Sequence, residues 1–214
     1  MRVTPKKTSK ITNIITKHIK DNIRIYIIIS LFLLIGIILG VVLVNNITET
    51  QMLEIKNYLT DFINSLKNGE KINNTEILKN SFINNLLLVF IMWFVGSTVI
   101  GIPIVIGIVV IRGLTFGYTI SSVLISFSLT KSLIFISTSM LLHNLLFFPC
   151  LTALAVSGVK LYKSIMKDKR KENIKLEIIR HTAFSFVILI ILTITSFVET
   201  YISNNLLLLC IQYI

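Results

Sequence analysis

The sequence predicts an all-α fold: a polytopic integral membrane bundle of about five transmembrane helices, with its N-terminus cytoplasmic. Three observations predict it. Of 214 residues, 54% are hydrophobic and 14% are charged, whereas a soluble domain carries about 25% charged residues. A single core of this length cannot hide so much apolar surface, so lipid must take part of it. Charge-free runs long enough to cross a bilayer recur along the chain. The basic residues, 21 against 10 acidic, are gathered beside those runs. Seven of them (Arg2, Lys6, Lys7, Lys10, Lys17, Lys20, Arg24) precede the first run, and eight more lie between Lys160 and Arg180. Positive-inside topology explains that placement better than nucleic-acid binding, which is not expected.

Residues 8–23 place Ile11, Ile15, Ile19 and Ile23 four apart with lysines between them. The pattern reads as a basic amphipathic helix on the inner leaflet. Ile25–Val44 runs 20 residues without a charge, enough for one span. Its long N-terminal flank, and the lack of a small-x-small site at Val44-Asn45-Asn46, favour a retained helix over a cleaved signal. The polar loop 45–80 balances four lysines against five acids, which suits the outer side. Within it Thr48-Glu49-Thr50-Gln51 matches a capping box. Met52, Ile55, Leu59, Phe62 and Leu66 come next at helical spacing, and Gly69 ends the pattern. This amphipathic helix either packs against the membrane or the protein's own bundle, or docks a partner protein.

Ser81–Ile111 is charge-free over 31 residues, longer than one span needs. Gly96, Gly101 and Pro103 interrupt it, so a helix is expected at about 82–102 with a kinked or re-entrant continuation to Ile111. Arg112 would then lie at the cytoplasmic boundary. Gly113–Thr130, Ser132–Gly158 and Ala183–Val198 complete the expected spans, with Lys131 at an outer end. The chain thus divides into a basic segment (1–24), a membrane domain (25–198) with outer loop 45–80 and cytoplasmic loop 159–182, and an outer tail (199–214). Leu206–Ile214 is too short to cross alone and is expected in the outer interface or against the bundle.

Catalytic machinery is not evident. The apolar runs show no paired carboxylates, no His-Glu-x-x-His, no P-loop and no Gly-x-Ser-x-Gly. Cys150 and Cys210 form no spaced motif, so no metal, disulfide or cofactor is expected. His18 and His181 lie in basic segments and read as interfacial. His143, beside Asn144 and ahead of Pro149, is an ionisable residue within a span and so a functional position by default. Without a carboxylate in any span, it reads most simply as a helix-to-helix hydrogen bond. Gly36 and Gly40, and again Gly113 and Gly117, form Gly-x-x-x-Gly pairs. Such pairs let helices approach closely, within the bundle or in a homo-oligomer.

The order of these features resembles the stage II sporulation protein M family. A basic N-terminus precedes a first span with Gly36 and Gly40, and a polar outer loop comes after it. Asn84-Asn85 then opens a span with Gly96. Beyond it come Arg112-Gly113 with Gly117, then His143-Asn144 with Pro149, and Gly158 before a basic loop. The resemblance covers essentially the whole chain. Two departures stand out: Arg112-Gly113 where the wider family often has Asn-Gly, and Phe147 near the position of a glutamate that often comes after its Pro-His-Gly. The missing glutamate argues against any transport-like role of the wider family. The resemblance implies a non-enzymatic protein of the mother-cell membrane at the sporulation septum. It would anchor two peptidoglycan-degrading partners, the stage II sporulation proteins P and D, during engulfment. The competing expectation is a permease-like transporter or channel subunit working with a separate ATPase.

Overall fold

The computed structural model describes residues 18–69, 73–98, 101–167 and 171–213. These residues are helical almost throughout. Five helical segments are long and apolar enough to cross a membrane: Ile23–Asn45, Asn74–Gly96, Gly101–Ser126, Leu129–Met166 and Ile174–Tyr213. We name the elements α1 (Ile23–Asn45), α2 (Glu49–Lys67), α3 (Asn74–Gly96), α4 (Gly101–Ser126), α5 (Leu129–Phe135), α6 (Leu142–Lys167), α7 (Lys171–Phe197) and α8 (Asn204–Cys210). A π-helical segment, Ile136–Leu141, joins α5 to α6, and a second, Val198–Ser203, joins α7 to α8. The charge-poor helix surfaces explain the membrane class. On α1 only Ile29, Gly36, Gly40 and Val44 are buried, while Ile27, Leu31, Leu34, Ile38 and Val42 stand about half exposed. A water-soluble protein would not present such a patch.

The most extensive helix pair is α1 with α4. The two Gly-x-x-x-Gly pairs face each other across it. A Cβ on Gly36 would meet the Val110 carbonyl and one on Gly40 the Leu114 carbonyl; Gly113 and Gly117 are closed off in return by Leu33 and Ile37. The α1 glycine face is therefore covered by the same chain. The main core lies beyond this seam, where Met92, Val109, Leu151, Leu154 and Leu192 from α3, α4, α6 and α7 are essentially inaccessible. A smaller core sits at the α2 end, where Ile63 and Leu66 meet Val123, Phe135, Leu207 and Ile211.

Residues 103–111 neither re-enter nor kink. They form the first half of α4, an uninterrupted helix. Pro103 lies in its first turn, where a missing N–H costs nothing and φ suits the helix. The chain turns earlier, after Gly96, and Gly101 packs against the Val95 carbonyl at that turn. The long charge-free run is thus shared between two helices, and α3 begins upstream in polar sequence, capped by Asn73. Pro149 lies inside α6, which continues through it. Of the two places expected for Leu206–Ile214, the structure shows the second: the last helix runs on past Glu199 through its π segment into α8, and Leu207 and Ile211 pack into the smaller core.

Of the expected N-terminal amphipathic helix, Ile11 and Ile15 lie outside the described residues. His18 stacks on Phe184 at 5.0 Å and its Nδ1 lies 3.2 Å from the Tyr26 hydroxyl. Burial first, then the charge of Lys160, holds its pKa below 6.5; Asp21 opposes both. The folded state thus favours neutral His18. Its docking on α7 is fully present above pH 6.5 and weakens as the pH falls through the lower folded value. Hydrogen exchange of residues 18–22, corrected for intrinsic rates, should show protection that holds down to pH 6.5 and falls below it. His18→Phe should remove that dependence.

Candidate functional site

Two regions bear on function. The first is α2. Thr48 caps it, with a capping box in which its side chain accepts from the Gln51 amide while Gln51 accepts from the Thr48 amide. Gly69, at φ 84°, terminates it in the left-handed region. The five residues of the expected stripe do not share one fate. Leu66 is buried on the bundle, Leu59 is packed against its edge, and Ile55 lies beside Tyr118 and Val123 of α4. Met52 and Phe62 face outward at 41% and 38% exposure, joined by Leu53 and Tyr58 at 58% and 73%. The inward line instead runs Ile55, Leu59, Ile63, Leu66. Ile63, absent from the expected stripe, is the most buried residue of the helix, at 3%. The observed stripe drifts by one position because its apolar residues occupy more than one face.

The second region is a polar cleft of about 230 Å³ in the α2-proximal half of the bundle, walled by α3, α4, α6 and both π segments. Arg112 lines it. Expected at a boundary, Arg112 instead sits mid-way along α4, half-buried, with its guanidinium 5.6 Å from the centre of the Phe147 ring. His143 lies in the first turn of α6, just past the first π segment, and stacks on the same ring at 5.5 Å. Its Nδ1 faces two acceptors, the Thr195 carbonyl at 3.4 Å and Glu199 Oε2 at 3.5 Å. In the tautomer with its proton on Nδ1 the ring can donate to either of them. Glu199 lies in the second π segment. Each π turn adds a residue to its helix and rotates the phase of the residues beyond it, a device recurrent at functional sites.

Glu199 is the carboxylate that a reading of the spans misses. The sequence pattern places it in an outer tail and gives no sign of the helix that carries it inward. Ser81 donates to it. Ser81 also contacts Ser196 at 3.0 Å, and Asn85, 5% exposed, donates to Ser196 at 2.9 Å and to the Leu192 carbonyl at 3.2 Å. The Asn84-Asn85 pair thus splits its roles: Asn85 joins α3 to α7, and Asn84 lines the cleft. Asn144 donates to the Met140 carbonyl of the first π segment at 2.9 Å.

His181 departs from its expected interfacial place. It is 2% exposed, bonded to Ser157 at 2.9 Å, and seated where Gly96 of α3 and Gly158 of α6 nearly touch. Two glycines make room for the imidazole. Among the described residues, no group of three or more His, Cys, Asp or Glu side chains could hold a metal ion.

A family model described as Stage II sporulation protein M matches residues 29–204, a stretch that reaches into all five spans. No curated protein and no solved structure matches the chain.

Proposed function

This chain belongs to the stage II sporulation protein M family, and we propose from that premise that this multi-pass sporulation membrane protein is a non-enzymatic scaffold. In this reading it sits in the mother-cell membrane at the septum. It holds peptidoglycan-degrading partners, the stage II sporulation proteins P and D, where the septal wall is thinned for engulfment.

One observation carries the reading. A capped 19-residue helix, α2, is fixed to the bundle along Ile63 and Leu66, yet it turns Leu53, Tyr58 and Phe62 outward. Family membership supplies the sporulation setting. The orientation is part of the same reading and is supported by charge: Lys20 and Arg24 lie beside Lys163 at the end opposite α2, and the positive-inside rule favours such an end for the cytoplasm, which leaves α2 to the wall side.

Replacing Leu53, Tyr58 and Phe62 with serine should abolish co-purification of the two wall hydrolases from sporulating cells while leaving the protein in the membrane. Central aromatic anchors typically contribute about 2 kcal/mol or more each, roughly a thirtyfold change in affinity. Ile63→Ser is the contrasting variant, since it should reduce the amount of folded protein. Undiminished hydrolase recovery with the triple variant would remove α2 as the docking element. The polar cleft favours the second reading, a transporter or channel subunit. Recovery of an ATPase in place of hydrolases would support that instead.

A further inference from the structure

The cation of the cleft pairs with no carboxylate among the described residues, although Glu199 lines the same cleft. Among the described residues, the Arg112 guanidinium forms neither an ion pair nor a hydrogen bond, and its contact is the face of Phe147. Glu199 is already engaged by His143 and Ser81. A cation at the centre of a transmembrane helix is costly, about 2.5–3.5 kcal/mol on insertion scales, and such residues mark ligand or ion sites. Asn84, on the facing helix α3, also lines the cleft and likewise has no hydrogen-bond partner among the described residues. Thr115 and Thr119 direct their hydroxyl protons to carbonyls of α4, and Asn144 directs one of its two amide protons to the Met140 carbonyl. The donors left to face a ligand are therefore the Arg112 guanidinium and the Asn84 amide, with one proton of Asn144.

We propose that this cleft binds a phosphate group, with the Arg112 guanidinium as the bidentate donor and the Asn84 amide as the second. A guanidinium fork matches two phosphate oxygens. A tetrahedral group also has further oxygens, pointing away from the fork, for a donor on the opposite helix. Phe116 and Phe148, in edge contact at 4.8 Å, add an apolar wall that suits the first carbons of an ester. The volume is enough for a phosphate headgroup. The phosphate can come from a lipid or from solution. The proposal is independent of the scaffold reading, since either a scaffold or a transporter could carry such a site.

The test uses the full chain in a maltoside detergent and native mass spectrometry. The probes are short-chain phosphatidic acid, the diacylglycerol of the same chains, and inorganic phosphate. Phosphatidic acid should bind about tenfold or more tightly than diacylglycerol, in line with a charge-assisted bidentate contact. Arg112→Gln should erase that preference and Asn84→Ala should reduce it. Lys163→Gln, at the basic end, should leave it unchanged. Displacement by millimolar inorganic phosphate would identify a soluble phosphate as sufficient; retention would identify the lipid headgroup. Equal binding of the two lipids to the unaltered chain, or a preference that survives both cleft substitutions, would overturn the proposal. Should Arg112→Gln fail to fold, Asn84→Ala carries the same comparison.

Discussion

Gly36→Leu is expected to abolish accumulation of the folded protein, and Gly107→Leu to leave it unchanged. Both substitutions put the same side chain on the same kind of backbone. The surroundings differ. At Gly36 even a Cβ would run into the Val110 carbonyl, and the Leu114 amide lies next at 3.1 Å. These are backbone atoms of α4, so no rotamer change relieves the clash and the helices must part. At Gly107 nothing lies within 4 Å, and leucine gains helix propensity there, about 1 kcal/mol. Overpacking costs about 1–3 kcal/mol where the site can adjust. Here separation also loosens Gly40, Gly113 and Gly117, so the loss should exceed that range. Gly36→Leu and Gly113→Leu act on one contact, and the double variant should cost less than the sum of the two. Thermal unfolding in detergent, with size-exclusion of the remaining monodisperse protein, reads all four variants. Equal behaviour of the Gly36 and Gly107 variants would show that the α1–α4 seam does not hold the bundle together.

The contrast between these glycines shows what a sequence can and cannot convey. The four-residue spacings announce close packing, but not that α1 meets α4, because a Gly-x-x-x-Gly pair carries no label for its partner. Helix class and number are legible for a simple reason: apolar length maps directly onto bilayer thickness. The capping box at Thr48 is legible because its bonds are local. Boundaries fail wherever charge alone places them. Arg112 reads as an end because isolated arginines avoid lipid. Its cost is offset within the fold, by Phe147 and a polar cleft that exist only once α4 and α6 pack. Glu199 reads as an exit for the same reason, and its partners His143 and Ser81 are 56 and 118 residues away along the chain. The central pair of the site is thus invisible to local patterns. His143 stands out by itself, and the carboxylate that defines its environment comes from a segment whose pattern suggests a tail. A second helical phase across Ile55–Leu66 would reveal Ile63, since Ile55, Leu59, Ile63 and Leu66 satisfy the period as well as the expected stripe does.

Gly158→Leu should destabilise the protein by more than His181→Ala, although the histidine is the larger and more polar group. His181 occupies space that two glycines vacate. A Cβ on Gly158 would lie 3.3 Å from the Gly96 Cα, and one on Gly96 would lie 3.2 Å from the Gly158 Cα and 3.4 Å from His181 Nε2. A leucine there pushes α6 from α3 along backbone atoms and expels the imidazole as well. The cost should lie toward or above the upper end of the overpacking range, about 3 kcal/mol. His181→Ala removes a buried ring and leaves Ser157 without its partner. That adds a cavity to a lost hydrogen bond, but the hydroxyl can turn to its own helix backbone, as Ser185 already does toward the His181 carbonyl at 2.9 Å. Side-chain hydrogen bonds between membrane helices average about 0.6 kcal/mol, so the cavity should dominate, at about 2 kcal/mol. His181→Phe separates the two contributions: it fills the space and loses only the bond, so it should recover most of the stability. The same thermal assay ranks the three variants. If His181→Phe were as damaging as Gly158→Leu, the imidazole's hydrogen bond, and not the space between the glycines, would be what fixes α3 against α6.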